Sequence, residues 1–435
     1  MAVDYMKLNE KCPCGKEHIL DIDDIVIKNG AISKLPKFIS KYNATKVFVV
    51  ADVNTFKAAG NLVLDILEKN SVPYSKYIFN NTALEPDETA VGSLIMHFDK
   101  NCDLVIAVGS GVINDIGKIL SNVTGSKYII VATAPSMDGY ASATSSMAMD
   151  GLKVTLPSKC PDVIIGDIDI LKQAPLLMLK SGLGDMIAKY VSILEWRIAH
   201  LLIGEYYCEN VASLVRFALK RCIDNAKGLL ERDDDAVSAV FEGLIIGGAA
   251  MAYAGLSRPA SGVEHYLSHI WDMRGLEFKT PVSLHGIQCA IGTLISVRLY
   301  ENLKTITPDQ KKALRYAENF SFSDWSKKLE EFLGNGAKAM MELEAKEQKY
   351  NKEKHAVRLE KIIENWDKIK KIIDEELPSS QFIENLLDLI DSPKSLTDIG
   401  LSDDIFSMSF KASKDIRDKY VLSRLYWDLG IIDEV

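Results

Sequence analysis

The sequence predicts an α/β domain built on a parallel sheet, followed by an all-α domain. Three observations carry this. Short β-branched runs alternate with helical patterns up to about residue 170. Those runs are apolar from end to end, as strands buried on both faces must be. After Leu171 the pattern is helical almost throughout. Strand–helix alternation implies crossover helices and parallel pairing. The expected division is residues 1–170 for the α/β domain and 171–435 for the helical one.

In chain order, Lys46–Ala51 (KVFVVA) reads as a buried strand and Thr55–Asn70 as a helix. Leu104–Val108 (LVIAV) and Tyr128–Ala132 (YIIVA) read as further strands, with a helix beginning over Asp115–Ser121 between them. Leu244–Leu256, rich in Gly and Ala, reads as a closely packed buried helix, too short to span a membrane. Charged amphipathic helices fill Lys338–Glu376, and Ala412–Gly430 (ASKDIRDKYVLSRLYWDLG) reads as another helix.

Composition narrows the function. The 435 residues leave room for two domains, and 47% hydrophobic with 26% charged residues is ordinary for a globular protein. A net charge of −9 argues against a nucleic-acid surface. The N-terminal stretch lacks an apolar signal core, and no membrane span is read, so a cytoplasmic location is expected. The seven scattered cysteines fit a reducing compartment. Cys12, Cys14 and His18 form a C-P-C-G-K-x-H cluster. Three donors without a fourth, with Pro13 between the cysteines, read as a turn rather than a structural zinc site.

Two sets of residues carry chemistry. In the α/β region, Gly109-Ser-Gly-Val-Ile-Asn-Asp115 follows a strand. Glycines at a strand-to-helix turn let backbone N–H groups approach phosphate oxygens. Asp52, at the end of an earlier strand, suits adenosine ribose hydroxyls and would repel a 2′-phosphate, favouring NAD over NADP. The next strand feeds Thr133-Ala-Pro-Ser-Met-Asp-Gly-Tyr-Ala-Ser142, whose small residues suit close contact with a cofactor. Asp138 there is either a substrate contact or part of an Asp-Gly turn.

The second set lies in SRPASGVEHYLSH, where His265 and His269 stand one helical turn apart, and in LHGIQ, which holds His285. Three of the seven histidines thus fall close together. Asp185 sits in SGLGDMIAK, where Gly182 and Gly184 predict a tight turn entering a helix. A carboxylate with two or three imidazoles can hold a divalent metal and leave positions open for substrate.

These motifs together resemble the sn-glycerol-1-phosphate dehydrogenase family, in particular its bacterial branch. That family lies in the superfamily of iron-type alcohol dehydrogenases, glycerol dehydrogenases and dehydroquinate synthases. The resemblance runs from CPCGKEH and IVIKNGAISKLP through GSGVINDIGK, TAPSMDGYASATSSM and PDVIIGDIDILKQAP to SGLGDMIAKYVSILEWRIAH and SRPASGVEHYLSH. It implies a dehydroquinate-synthase-like architecture with a Rossmann-like sheet. It implies NAD(H) or NADP(H) as cofactor and one divalent metal, zinc or nickel before iron. Asp185, His265 and His285 then match the metal ligands, with no thiolate among them. His269 matches a residue facing substrate, and Asp138 a substrate contact. Asp52, Gly109, Gly111, Val112, Ile113, Asn114, Asp115, Thr133, Ala134, Pro135, Ser136 and Ser142 match positions around the dinucleotide.

The implied reaction is hydride transfer at C2 between sn-glycerol 1-phosphate and dihydroxyacetone phosphate, with Asp185 and His269 as the catalytic pair. Arg258 and Lys189 are candidate cations for the substrate phosphate, or else members of ion pairs. An unphosphorylated polyol, a dehydroquinate-synthase-like cyclisation and a non-catalytic binding role stand as alternatives. A homodimer is expected from the broad helical surfaces.

Overall fold

The structure, a computed structural model, describes residues 12–149 and 152–435. Residues 1–11, where the sequence has no apolar signal core, lie outside the described residues. The chain forms two compact units: residues 1–186 with 210–256, and residues 187–209 with 257–435. The strands end before residue 170, where the sequence pattern changes; the compact units draw their boundary from a different property and exchange short segments beyond it.

The first unit is organised by a six-stranded parallel sheet. Its strands are β1 (Asp24–Lys28), β2 (Val47–Asp52), β3 (Tyr74–Phe79), β4 (Leu104–Gly109), β5 (Lys127–Ala132) and β8 (Val163–Asp167). The order is β1-β8-β5-β4-β2-β3. β2, β4, β5 and β8 are inside strands, which explains their unbroken apolar runs. β1 and β3 are the edges and are only half-buried, so their mixed sequences escape a reading based on continuous apolarity. β6 (Thr144–Met149) and β7 (Leu152–Pro157) form a separate antiparallel hairpin.

Eight helices position the chemically interesting residues. They are α1 (Gly111–Thr124), α2 (Leu176–Ile187), α3 (Lys189–Ile203), α4 (Glu209–Asp224), α5 (Asp234–Ala254), α6 (Val263–Phe278), α7 (His285–Thr305) and α8 (Leu422–Asp428). The fold expectations hold in outline, with three corrections.

First, α1 begins at Gly111, not near Asp115, so Val112 to Asp115 are already helical. Second, Gly182 and Gly184 lie inside α2 rather than in a turn. Gly182 is needed for close packing: a Cβ there would lie 1.9 Å from the Pro135 carbonyl oxygen. Third, residues 412–430 are not one helix. The preceding helix ends at Ser413, and the chain is extended at Val421 before α8 begins.

The apolar window at 244–256 belongs to the longer α5. By length and composition this helix alone among the described residues could cross a membrane, but 78% of its apolar window is buried within the protein. That is the behaviour of a core helix.

In the second unit, one buried carboxylate joins four helices. Glu195 on α3 accepts the N–H of Val263 at the start of α6 at 2.9 Å. It also accepts the N–H of Leu422 at the start of α8 at 2.8 Å and the Tyr300 hydroxyl from α7 at 3.2 Å. Burial, aided by the nearby Glu264 carboxylate, pushes its pKa up to about 8. The folded protein therefore holds this proton more tightly than the unfolded chain does. That contribution to stability is complete below the ordinary carboxylate range and is lost as pH rises towards 8. The unfolding free energy of the wild type relative to Glu195→Gln is expected to fall across that window. Denaturant titration at several pH values checks this, and a constant difference would refute it.

In the first unit, Gly182→Ala is expected to cost about 1–3 kcal/mol through overpacking against Pro135. It should also weaken dinucleotide binding by displacing the 133–139 loop. Unchanged thermal stability and cofactor affinity would show that the loop can yield.

Candidate active site

In the first unit, the carboxyl ends of three neighbouring strands lie side by side. β2, β4 and β5 are adjacent in the sheet, so Asp52, the Gly109–Gly111 turn and the Thr133–Ser136 loop fall side by side. The Thr133 N–H donates to the Gly109 carbonyl at 3.1 Å, which fixes the two loops against each other. In an open parallel sheet this is the edge that binds ligands.

The two glycines of the GSG turn have different reasons to be there. A Cβ on Gly109 would lie 2.4 Å from the Ile113 side chain, so internal packing dictates that glycine. A Cβ on Gly111 would meet only the Met137 side chain, at 3.3 Å. Internal packing makes a weaker demand at Gly111, and close approach by a phosphate is a sufficient reason for it. The opening N–H groups of α1 have no carbonyl a turn earlier to bond, and they carry the helix's positive end.

The other predicted cofactor positions divide by what their side chains do. Ile113 and Asn114 are buried; the Asn114 amide donates to the Gly139 carbonyl at 3.2 Å. Asp115 pairs with Lys118 at 3.0 Å. The Ser142 hydroxyl faces the Gly139 and Thr144 carbonyls at 3.1 and 3.0 Å. These side chains brace the 133–144 loop from behind, so what Ile113 can offer a cofactor is its backbone. Ala134 is buried, and its carbonyl accepts the Tyr140 hydroxyl at 2.7 Å. Asp52 caps the turn after β2, its Oδ1 accepting from Asn54 N at 2.7 Å and Thr55 N at 2.9 Å. The cap alone accounts for an aspartate there, while Oδ2 remains suited to a ribose hydroxyl.

Asp138 and Asp185 are brought together. The Asp138 N–H donates to Asp185 Oδ2 at 2.9 Å, and both residues are buried. Gly248 on α5 permits this loop path, since a Cβ there would lie 2.5 Å from the Asp138 carbonyl oxygen.

The imidazoles lie in the second unit. His265 and His269 lie on α6, and His285 opens α7. The helices approach closely because Gly292 has no side chain; a Cβ there would sit 2.8 Å from the Glu264 carbonyl oxygen. The rings of His265 and His285 meet edge to face with centroids 5.0 Å apart. His269 stacks on His285 at 5.9 Å.

Each of the two predicted metal-binding rings is oriented by a partner. His265 Nδ1 lies 2.8 Å from Glu264 Oε1, a carboxylate that can only accept, so Nδ1 carries the proton. Ser268 donates its hydroxyl proton to Gln288 Oε1 at 2.8 Å and lies 3.0 Å from His285 Nδ1. His285 must then donate through Nδ1. Gln288 is in turn held by Asp272 and the Ser283 carbonyl, each at 3.1 Å. In both rings the proton thus sits on Nδ1, the tautomer found in metal-binding histidines that coordinate through Nε2; His285 Nε2 lies 3.6 Å from the Cys289 sulfur.

Cys289, one turn after His285, was missed by the reading that placed no thiolate at this centre. A donor atom from each of His265, His285 and Cys289 lies within 4.8 Å of the others. Burial pushes the Cys289 thiol up, but the two imidazoles outweigh it and hold it below the usual thiol range. The i, i+4 spacing of His285 and Cys289 was the available signal. Glu264 and Ser268 lay within the motif already singled out.

Of the two roles read for Arg258, phosphate cation or ion-pair member, the structure shows the ion pair. Arg258 is buried and fully engaged: Nε donates to Glu205 Oε1 at 2.7 Å, Nη2 to Glu205 Oε2 at 2.5 Å and Nη1 to the Tyr420 carbonyl at 2.8 Å. It is a structural ion pair. Lys189 is buried with its ammonium on the Ala260 carbonyl at 3.1 Å.

Comparison with known proteins places these features in context. Residues 26–175 match the family model described as iron-containing alcohol dehydrogenase. The glycerol-1-phosphate dehydrogenase [NAD(P)+] of Halalkalibacterium halodurans is 29% identical over 420 residues, spanning 96% of this chain and 95% of its own. The enzyme of that name from Geobacillus thermodenitrificans is 33% identical over 301 residues, covering 68% of this chain and 74% of its own. Among solved structures, a glycerol dehydrogenase from Schizosaccharomyces pombe aligns over 95% of this chain and 89% of its own, with TM-score 0.59 and 17% identity. An archaeal halo-thermophilic Red Sea brine pool alcohol dehydrogenase aligns over 96% and 98%, with TM-score 0.61 and 16% identity. At such identities the structures share the fold.

Glu264→Gln is expected to lower divalent-metal affinity about 10- to 100-fold by releasing the His265 ring. Competition against a chelator measures this, and unchanged affinity would remove Glu264 as the orienting group. Asp52→Asn keeps a capping side chain but removes the charge. It is expected to shift the NAD-to-NADP affinity ratio roughly tenfold towards NADP, about 1.4 kcal/mol. An unchanged ratio, read by fluorescence titration, would leave Asp52 with its capping role alone.

Proposed function

The chain belongs to the glycerol-1-phosphate dehydrogenase family, and from that premise we propose that it interconverts sn-glycerol 1-phosphate and dihydroxyacetone phosphate by NAD(P)-linked, metal-dependent hydride transfer. The observation that supports this reading is the pair of imidazoles whose Nδ1 positions are tied to Glu264 and Ser268, with the Cys289 sulfur 3.6 Å from His285 Nε2. The donor chemistry of His265 and His285 fits a divalent ion, and the family resemblance supplies Asp185 as the carboxylate ligand. Zinc and nickel suit this set, and the neighbouring Cys289 sulfur adds a soft donor.

A bound divalent ion would supply Lewis acidity towards the substrate oxygen, and a bound nicotinamide would supply or accept the hydride. The protein's residues do the rest. Asp185, His265 and His285 hold the ion. The N–H groups opening α1 and the small residues of Thr133–Ser136 receive the cofactor's phosphates and ring. Asp138 binds a substrate hydroxyl. His269 carries the proton that the C2 oxygen gains on reduction and loses on oxidation. Location in the cytoplasm and assembly as a homodimer accompany this reading.

The engagement of Arg258 by Glu205 favours a second reading. It removes one candidate cation for a substrate phosphate and so makes room for an unphosphorylated polyol.

The test is NADH oxidation with dihydroxyacetone phosphate, before and after chelation, with zinc, nickel or iron restored and dihydroxyacetone as a control. Activity that needs both the phosphate and the metal is expected. Activity on the unphosphorylated ketone would favour the second reading, and no NADH oxidation with any metal would overturn both. His265→Ala is expected to abolish metal-dependent turnover while NADH still binds. Full turnover in that variant would exclude His265 as a ligand.

A further inference from the structure

We propose that a cavity in the second unit binds an organic polyphosphate, its phosphates held by cations from three helices and its flat body against an aromatic wall. The cavity has a volume of about 690 Å³, which suits a metabolite-sized ligand. Its walls come from the helices Gln310–Asn319, Phe322–Leu333 and Ile405–Ser413, from Trp427 on α8 and from the C-terminal turn at Ile432. All of these belong to the second unit. The cavity shares no residue with the proposed hydride-transfer chemistry, so the two readings fail independently.

Charge selects the class of ligand. Lys311, Lys312, Arg315, Lys328, Lys411 and Lys414 line the cavity, opposed by Asp309, Asp324 and Asp433. This surplus is positive in a chain whose net charge is −9. Two of the acids are already committed. Asp309 caps its helix by accepting the Lys312 N–H at 3.0 Å. Asp433 accepts the Tyr316 hydroxyl at 2.9 Å and pairs with Lys411 at 3.1 Å. Lys311, Arg315 and Lys328 form no ion pair among the described residues. Lysines along one helix are an ordinary solvated face, whereas these cations converge on one concavity from three helices. A monoanion would engage one or two of them, while a polyphosphate carries charge enough for most.

The aromatic residues point to the organic part. Tyr316, Phe320, Trp325 and Trp427 also line the cavity, the first two half-buried and the tryptophans buried. Phe320 packs edge to face on Trp427 at 5.4 Å and stacks on Tyr350 at 4.3 Å, which holds this surface in place. Such surfaces take flat rings by stacking.

Two buried groups in the wall lack what a ligand would bring. Trp427 is 1% exposed and its Nε1 has no hydrogen-bond partner, a costly state for a buried donor. Lys414 is 2% exposed, with its ammonium 3.6 Å from the centroid of the Trp325 ring. Burial pushes this lysine down to about 7, with Arg424 and Lys349 adding to the push and Asp415 opposing it. A bound anion would add to the charge that Asp415 supplies.

Calorimetric titration of the full-length protein with ATP tests the site. Saturating NAD+ occupies the dinucleotide positions, and physiological salt screens loose surface attraction. Stoichiometric binding is expected, tighter for ATP than for sodium tripolyphosphate, which has the charge without the ring. Lys311, Arg315 and Lys328 are exposed, as are Lys34, Lys37 and Lys69 in the first unit. Lys311→Gln/Arg315→Gln/Lys328→Gln should weaken ATP at least about tenfold, and Lys34→Gln/Lys37→Gln/Lys69→Gln, which removes the same charge elsewhere, by no more than about twofold. No binding, tripolyphosphate bound as tightly as ATP, or equal losses in the two variants would each overturn the proposal.

Lysine acetylation of the wild type, read by mass spectrometry, covers the case in which the variants fail to fold. Saturating ATP should slow modification of Lys311, Lys312 and Lys328 at least about fivefold and leave Lys34, Lys37 and Lys69 unchanged. Equal rates with and without ATP at the cavity lysines would refute the site.

Discussion

The second unit depends on a carboxylate where a hydrophobic residue would ordinarily sit. Glu195 is buried, and its three acceptor contacts go to the first N–H of α6, the first N–H of α8 and the hydroxyl of Tyr300 on α7. Helix starts leave N–H groups without intrahelical partners, and burying them costs free energy unless an acceptor is supplied. Glu195 supplies it at two helix starts together, so the angle at which α6 enters is coupled to the position of α8. His265 is the third residue of α6 and His285 the first of α7. Their placement is thus set by a residue that touches neither. The cost is a carboxylate whose charge is penalised by burial and by Glu264. Gly262 is glycine for the same reason: a Cβ there would lie 2.6 Å from one of these carboxylates and 2.7 Å from the other.

The first unit solves a comparable problem with absent side chains. The loop after β5 must run close to α2 and α5 for Asp138 to reach Asp185. Gly182 and Gly248 each leave space where a Cβ would strike a loop carbonyl. Lys118 holds the loop from the other side, donating to the Gly139 carbonyl at 3.0 Å and to the Thr144 carbonyl. Buried and paired with Asp115, this lysine is a fixed charge inside the first unit rather than a surface group. The loop is therefore held rigidly before any ligand arrives, which lowers the entropy lost on binding.

How much the sequence revealed depended on range. β2, β4 and β5 were legible because a strand buried on both faces writes its environment into consecutive residues. The edge strands β1 and β3 were not, since half-burial leaves no unbroken run. The imidazoles were legible because i, i+4 spacing is local. The role of Arg258 stayed open between phosphate and ion pair for the opposite reason: its partner, Glu205, is 53 positions away. Gly182 was read as a turn because a glycine in sequence announces flexibility, whereas its reason here is a carbonyl 47 positions earlier. The C-terminal helix broke at residues no periodicity marks, where Lys414, Asp415 and Arg424 are buried together with ion pairs of 3.2 and 3.1 Å. Bringing these three buried charges together takes precedence over continuing the helix.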